Sequence, residues 1–316
     1  CITNKPMRIL VNTNYFRETF ADFPAGVEVE FAQGKPFYGV REMEERIAPY
    51  GILVIPSLFP VSNSLLDRAS NLKLICNLGA GFNNVDLAYA RSKGILVCNT
   101  PDAVTQSTAE LALNLMLTIL RRTSEIDRRI RCEKETLWQY DKLTARCLAG
   151  RTLGIVGMGK IGRRVAELAS VFGTRIVYHN PRTEVPGYER LEFNELLRVS
   201  DLVSLHVPLN QASFHLMGRA QFDRMKSDAV LINVSRGPVV DERALVEALQ
   251  RKAIAGAALD VFENEPKVAE ELYSMHNVVL TPHIGGNTFE SLYAMMYDAA
   301  QNARAFIAGN PVHVVN

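Results

Sequence analysis

Residues 157–162 constrain the fold of this chain more than any other stretch of the sequence. They read GMGKIG and stand between a short apolar segment, 152–156, and a helical pattern, 163–169. A GxGxxG turn between a strand and a helix is typical of a dinucleotide site, because Gly157 permits the tight turn, Gly159 lets a pyrophosphate approach the backbone, and Gly162 lets the helix pack closely. The helix N-terminus then offers free N–H groups to the phosphates. The alternative is an ordinary glycine-rich turn.

Length and composition narrow the class of protein. The chain has 316 residues, which is too many for one typical hydrophobic core and enough for two domains. Its net charge of +1 gives no bulk attraction to nucleic acid or to an anionic membrane surface. The five cysteines, at positions 1, 76, 98, 132 and 147, lack metal-ligand spacing, and no apolar segment is long enough to span a bilayer. We therefore expect a cytoplasmic protein that binds no nucleic acid, membrane or metal.

Short apolar segments alternate with helical patterns along the chain, which predicts parallel sheets covered by helices on both faces. The predicted strands are residues 7–11, 51–56, 72–77, 95–99, 152–156, 175–178, 202–207, 229–234, 255–260 and 278–281. Predicted helices include 40–48, 64–69, a continuous helix over 104–132, and a final helix over 288–308. The pattern predicts an α/β protein with two doubly wound parallel-sheet domains.

Polar residues follow three successive predicted strands in the second part of the chain. Arg236 lies in the segment 233–237, Glu265 in 260–266 and His283 in 281–286. Open α/β sheets bind ligands at the carboxyl ends of their strands. Beside a nicotinamide, Arg236 can bind a 2-keto acid carboxylate, His283 can supply the proton, and Glu265 can stabilise the imidazolium. Taken singly, each residue could instead be a structural hydrogen bonder or a loop charge.

Several motifs together resemble those of the D-isomer-specific 2-hydroxyacid dehydrogenase family. They are GMGKIG, NVSRGPVVDERAL (233–245), DVFENEP (260–266), TPHIGG (281–286), NLGAGFNNVD (77–86) and NTPDAVTQSTAELA (99–112). The resemblance covers nearly the whole chain. It implies a Rossmann cofactor domain, 101–287, inserted in a flavodoxin-like substrate domain formed by 1–100 and 288–316. It also implies an active site in the cleft between the domains and a homodimer built on the long helix after Pro101.

The resemblance assigns a role to individual residues. It makes Arg236, Glu265 and His283 catalytic, with Arg236 and His283 also contacting the substrate. It adds Ala80, Gly81 and Leu58 as substrate contacts. Besides the three glycines, the implied cofactor contacts are Lys160, Ile161, Val207, Pro208, Val234, Asp260, Thr105 and Gly285. Asp260 could accept from the nicotinamide carboxamide or serve instead as a loop anchor, and Trp138 could reach the neighbouring subunit's site or be a dimer-core aromatic.

The residues after the second strand of a dinucleotide fold indicate the cofactor, because NAD sites usually carry Asp or Glu there to accept from the ribose 2′-OH. This chain has Asn180, Pro181 and Arg182 at that place. Asn180 has no charge to repel a 2′-phosphate, and Arg182 can attract one. The segment therefore favours NADP over NAD, although Glu184 nearby weakens the argument.

The substrate is expected to be a small 2-keto acid. The segment 56–61, which the resemblance places on the substrate side, lacks Lys and Arg, which argues against a phosphorylated substrate. Glyoxylate or hydroxypyruvate reduction to the D-2-hydroxy acid is the favoured activity, with 2-ketogluconate or a branched 2-keto acid as an alternative. A non-catalytic dinucleotide-sensing protein is a further alternative, since corepressors that resemble this family keep the same three residues.

Overall fold

A computed structural model describes residues 6–134, 144–181 and 183–316. The chain divides into two compact units: unit 1 comprises Cys1–Val104 and Gly286–Asn316, and unit 2 comprises Thr105–Gly285. Each unit is built on its own parallel sheet. The prediction of two parallel-sheet α/β domains is confirmed.

Unit 1 contains a five-stranded parallel sheet with the order β2-β1-β3-β4-β5. The strands are β1 (Met7–Val11), β2 (Val27–Phe31), β3 (Ile52–Pro56), β4 (Leu74–Leu78) and β5 (Leu96–Asn99). The helices are α1 (Val40–Arg46), α2 (Asn63–Arg68), α3 (Leu87–Ser92) and the last helix of the chain, α11 (Phe289–Ile307). This order is that of flavodoxin-like sheets. The edge strand β2 is absent from the predicted strands, because its two glutamates interrupt the apolar run.

Unit 2 contains a seven-stranded sheet with the order β12-β11-β10-β9-β6-β7-β8. The strands are β6 (Thr152–Val156), β7 (Arg175–His179), β8 (Glu189–Arg190), β9 (Leu202–Leu205), β10 (Val230–Asn233), β11 (Gly256–Leu259) and β12 (Val278–Leu280). The helices are α4 (Thr105–Arg121), α5 (Thr123–Arg128), α6 (Lys160–Ser170), α7 (Phe193–Val199), α8 (Arg219–Phe222), α9 (Glu242–Gln250) and α10 (Glu270–Tyr273). Six of these strands follow the Rossmann order, whose direction reverses between β6 and β9.

The prediction of one continuous helix over 104–132 is wrong. Helix α4 ends before Arg122, which adopts a left-handed conformation with φ of 55°, and α5 begins directly after it. The Arg146 N–H donates to the Leu120 carbonyl at 2.9 Å. A carbonyl of the last turn of α4 is therefore occupied by a residue from outside the helix. The Arg122 guanidinium donates to Glu125 at 2.7 Å and holds the start of α5. These interactions are not visible in the apolar periodicity.

Neither a membrane-spanning helix nor a metal-binding cluster is found among the described residues. Within the described ranges, no helix combines the length and the apolar character needed to cross a bilayer. The same ranges contain no group of three or more His, Cys, Asp or Glu side chains that could hold a metal ion. Cys76, Cys98, Cys132 and Cys147 are free thiols.

Candidate active site

The glycine-rich turn between β6 and α6 leaves its backbone open to a ligand. Gly157 has a φ of 96°, and a Cβ there would lie 2.8 Å from the carbonyl of His206. A Cβ on Gly162 would lie 2.2 Å from the carbonyl oxygen of Gly157. In contrast, a Cβ on Gly159, the N-cap of α6, would meet no atom within 4 Å. The tight positions close the turn and the open one exposes the helix N-terminus, so these residues fit a dinucleotide pyrophosphate.

Three loops of unit 2 carry the predicted catalytic residues. Strands β10, β11 and β12 pair in parallel, and the pairing extends to the last residue of each strand. The loops that follow them therefore leave the sheet at the same edge. Arg236, Glu265 and His283 lie in these loops, in that order.

Asn233, the last residue of β10, shapes the loop that carries Arg236. Its Oδ1 accepts from the N–H of Ser235 at 3.0 Å and from the Ser235 hydroxyl at 2.8 Å, while its Nδ2 donates to the Arg236 carbonyl at 3.1 Å. A Cβ on Gly237 would lie only 1.7 Å from the carbonyl oxygen of Phe262. The loop after β10 is therefore packed directly against the loop after β11.

Glu265 and His283 form a hydrogen-bonded pair. Oε2 of Glu265 lies 2.8 Å from Nδ1 of His283, and Oε1 accepts from the Phe262 N–H at 3.0 Å. The side chains of Glu265 and His283 are 26% and 23% exposed, so both are partly accessible to a ligand. Because Nδ1 is engaged by the carboxylate, Nε2 is the nitrogen left for a substrate.

The charges of the three residues depend on one another. Burial by itself raises the pKa of Glu265, but the hydrogen bond and charge of His283, the Phe262 N–H and the Arg236 charge together bring that pKa below its ordinary value. Burial lowers the pKa of the Arg236 guanidinium, and the Glu265 carboxylate opposes that effect. Arg236 remains a cation at neutral pH because an arginine pKa starts so high. The site thus presents a fixed cation beside a carboxylate–imidazole pair.

Asp260 holds the loop that carries His283. Its carboxylate is buried and accepts from the Thr281 hydroxyl at 2.6 Å and from the N–H groups of Ile284 and Gly285 at 2.9 Å. Its carbonyl accepts from the His283 N–H at 2.7 Å. Burial raises the pKa of Asp260, against the opposing effect of these hydrogen bonds. Asp260 is therefore a loop anchor, and its contact with a carboxamide stays a prediction.

In unit 1, the loop after β4 presents two backbone N–H groups. Asn99 donates from Nδ2 to the Ala80 carbonyl at 2.8 Å, and Asn77 donates to the Gly81 carbonyl at 2.6 Å. Within the described ranges, the N–H groups of Ala80 and Gly81 have no hydrogen-bond acceptor. Fixed carbonyls and unused N–H groups suit the binding of a carboxylate. Leu58, in the loop after β3, is 60% exposed.

The remaining predicted cofactor residues that the structure describes lie at helix N-termini and near the carboxyl ends of strands in unit 2. Lys160 and Ile161 form the first turn of α6, and Thr105 is the first residue of α4. The others follow carboxyl ends of strands: Asn180 and Pro181 after β7, Val207 and Pro208 near β9, Val234 after β10, and Gly285 near β12. Arg182 and Trp138 lie outside the described residues.

His206 is a residue of this region that the sequence analysis missed. Its backbone lies against Gly157, and its Nε2 is 2.8 Å from the Ser204 hydroxyl. Its Nδ1 is buried without a hydrogen-bond partner among the described residues. Burial lowers the pKa of His206 to about 3, so the imidazole is neutral at physiological pH. The only signal in the sequence is a histidine placed directly after a buried strand.

A Rossmann-ordered sheet, an open glycine-rich turn and an Arg with a Glu–His pair at the strand ends define a nicotinamide-dependent dehydrogenase. The chain belongs to the D-isomer specific 2-hydroxyacid dehydrogenase family, because residues 113–285 match the NAD binding domain of that family. The family predicted from the sequence motifs is thereby confirmed.

Individual relatives support the same assignment. The chain is 42% identical to a glyoxylate reductase of Thermococcus litoralis over 283 residues. The aligned residues cover 86% of this chain and 85% of that protein. It resembles an NADPH-dependent glyoxylate/hydroxypyruvate reductase of Sinorhizobium meliloti solved with NADP and malonate (TM-score 0.84, 29% identity, 98% and 97% covered). It also resembles a D-lactate dehydrogenase of Aquifex aeolicus solved with NAD and lactic acid (TM-score 0.81, 28% identity, 96% of both chains). These two structures differ in the cofactor and in the acid that they contain.

Proposed function

We propose that this protein reduces glyoxylate or hydroxypyruvate to the D-2-hydroxy acid, with NADPH as the preferred cofactor. The observation that carries the proposal is the 2.8 Å contact between Nδ1 of His283 and Glu265, with the Arg236 charge acting on the same carboxylate. The glyoxylate and hydroxypyruvate reductases among its relatives support this choice of substrate.

In the proposed reaction, the glycine-rich turn would hold a nicotinamide cofactor, which would supply the hydride for reduction of the keto acid at C2. Arg236 binds the substrate carboxylate and polarises the carbonyl, since its guanidinium offers several donors in one plane. His283 gives a proton from Nε2 to the carbonyl oxygen as negative charge develops there. Glu265 stabilises the imidazolium before the transfer and keeps the ring oriented through Nδ1.

The other predicted contacts complete the proposal. Unit 2 would bind the cofactor through its glycine-rich turn and its strand ends. Unit 1 would contribute Ala80, Gly81 and Leu58 to the substrate. The free N–H groups at Ala80 and Gly81 support a carboxylate contact, and the exposed apolar side chain of Leu58 supports an unphosphorylated substrate.

A homodimer and a cytoplasmic location also belong to the proposal. The homodimer rests on the resemblance of the segment after Pro101 to the family, and light scattering of the purified protein tests it. The cytoplasmic location is supported by the free thiols of Cys76, Cys98, Cys132 and Cys147, since reducing compartments keep cysteines unpaired.

The test is a set of initial rates with NADPH and with NADH. The substrates are glyoxylate, hydroxypyruvate, pyruvate, 2-ketoisocaproate and 2-ketogluconate. We expect the highest kcat/KM with NADPH and either glyoxylate or hydroxypyruvate. A higher value with 2-ketogluconate or 2-ketoisocaproate would contradict the proposed substrate. Tight cofactor binding without turnover of any acid would favour a dinucleotide-sensing protein.

A further inference from the structure

Arg190 contacts the turn after β7, which is the turn that recognises the adenosine ribose in doubly wound folds. Strand β8 pairs in parallel with β7, with Arg190 in register with Tyr178. The Arg190 Nη2 donates to the carbonyl oxygen of Pro181 at 3.3 Å. The guanidinium is therefore held beside Pro181, which directly follows Asn180. Asn180 occupies the position that reads the ribose 2′ substituent in doubly wound folds.

The charge of Arg190 is only weakly balanced by neighbouring carboxylates. Its ion pair with Glu184 has an N–O distance of 3.7 Å, and the Glu184 side chain is 86% exposed. An ion pair this exposed contributes little. The adjacent Glu189 is engaged by Arg175 at 2.6 Å. The cation at Arg190 is thus available to a further anion.

We propose that Arg190 binds the 2′-phosphate of NADPH and is a cofactor-specificity residue of this chain. The inference rests on the proposed NADPH preference and adds a ligand that comes from the neighbouring strand β8 instead of from the turn after β7. A planar guanidinium can make two parallel hydrogen bonds to a phosphate. Asn180 supports the arrangement, because its uncharged carboxamide makes no hydrogen bond within the part of the chain that the structure describes.

The opposite charges at Arg190 and Glu184 allow a test with two variants of opposite expected sign. Arg190→Gln removes the charge but keeps a donor for the Pro181 carbonyl. Glu184→Gln removes the carboxylate that competes with the phosphate for Arg190. Arg175→Gln is the matched control, because Arg175 is an exposed arginine of the same strand pair whose partner is Glu189. The readout is the Kd, by titration calorimetry, for NADP⁺, NAD⁺, adenosine 2′,5′-bisphosphate and 5′-AMP.

Arg190→Gln should weaken the binding of NADP⁺ and of adenosine 2′,5′-bisphosphate about ten- to a hundredfold, which is the scale of a hydrogen bond to a charged group. The binding of NAD⁺ and 5′-AMP should change less than about twofold, on the scale of an exposed side chain without a ligand contact. Glu184→Gln should tighten NADP⁺ binding about two- to threefold, on the scale of an exposed ion pair. Arg175→Gln should leave all four dissociation constants unchanged.

Two failures are distinguishable. If the unmodified protein binds NADP⁺ tightly and Arg190→Gln binds it equally well, only the role of Arg190 is overturned. An equal loss of NAD⁺ and NADP⁺ binding in Arg190→Gln would also overturn that role, because the 2′-phosphate would not be what the residue reads. If the unmodified protein binds none of the four ligands, the proposed function itself is refuted.

Discussion

The backbone N–H of His283 donates to the carbonyl of Asp260 at 2.7 Å, and the carboxylate of the same Asp260 accepts from the two residues that follow His283. This buried side chain thereby fixes a backbone that turns through a left-handed φ of 54° at His283. The orientation of the imidazole consequently depends on Asp260 as well as on Glu265.

Replacement of His283 by Asn should lower kcat for keto acid reduction by about a hundred- to ten-thousandfold, the usual contribution of a general acid. Asparagine is chosen because it tolerates a left-handed φ better than most residues, so the loop should survive. The Kd for the cofactor should stay nearly unchanged, since the imidazole acts at the carbonyl. His276→Asn, at an exposed histidine of unit 2, is the control. Full activity of His283→Asn would refute the proton-donor role.

Replacement of Glu265 by Gln should remove the charge that favours the imidazolium. We expect kcat at pH 7.5 to fall about tenfold or more and the pH dependence of kcat to change, because the hydrogen bond and charge interaction that hold the pKa of Glu265 below its ordinary value are lost. The measurement is the pH profile of kcat between pH 5 and pH 9. Glu271→Gln, at an exposed glutamate of α10, should leave the profile unchanged. An unaltered profile in Glu265→Gln would show that the carboxylate has no electrostatic role.

Replacement of Asp260 by Asn should lower the free energy of unfolding by about 1–3 kcal/mol, because one amide donor would face a backbone or hydroxyl donor in a buried site. Asp241→Asn is a matched control with the same chemical change. Asp241 is the N-cap of α9 and accepts from the Ala244 N–H at 3.0 Å, and Asn caps helices about equally well. Urea unfolding of both variants checks the prediction, and equal losses would contradict the anchoring role.

His206 should make unit 2 less stable at acidic pH. The pKa of His206 is about 3 in the folded protein, below the value of about 6.5 for an unperturbed histidine. Between these two values the unfolded chain binds a proton that the folded one does not. The His206 contribution to the free energy of unfolding should therefore fall by about 1.4 kcal/mol for each pH unit below about 6.

Two measurements check the His206 prediction. In His206→Gln, the decline of the urea midpoint between pH 6 and pH 4.5 should be shallower than in the unmodified protein. The ring resonances of the unmodified protein, which has six histidines, provide the second measurement. The His206 resonance should not shift between pH 8 and pH 5, and a normal titration there would contradict the prediction.

The sequence predicts the two sheets well because their strands are continuous apolar runs. All ten predicted strands, such as 152–156 and 175–178, coincide with observed strands within two residues at either end. The sequence analysis does not predict strand β2 because its apolar residues alternate with glutamates. It does not predict the break at Arg122 because a distant backbone group, the Arg146 N–H, helps to cause that break. Local periodicity carries no record of such long-range hydrogen bonds.

The candidate site is predicted to the extent that its residues follow strand ends. Position in the chain places Arg236, Glu265 and His283 after adjacent strands, but it does not reveal which atoms meet. The hydrogen bonds from Asn77 and Asn99 to the loop after β4 join residues 4 and 19 positions apart, and only the folded structure shows them. The same holds for Arg190, which a two-residue strand brings beside Pro181.

Gly237 illustrates how a residue that has no reactive side chain can control the geometry of the candidate site. Its missing side chain lets the loop after β10 rest against the Phe262 carbonyl, so the smallest possible addition, a single methyl group, would separate the loops of Arg236 and Glu265. In a saturation mutagenesis experiment this position would tolerate no substitution and would be mistaken for a catalytic one. The spacing between Arg236 and Glu265 is thus set by a contact between two main chains, and side-chain redesign of the candidate site has to leave that contact unchanged.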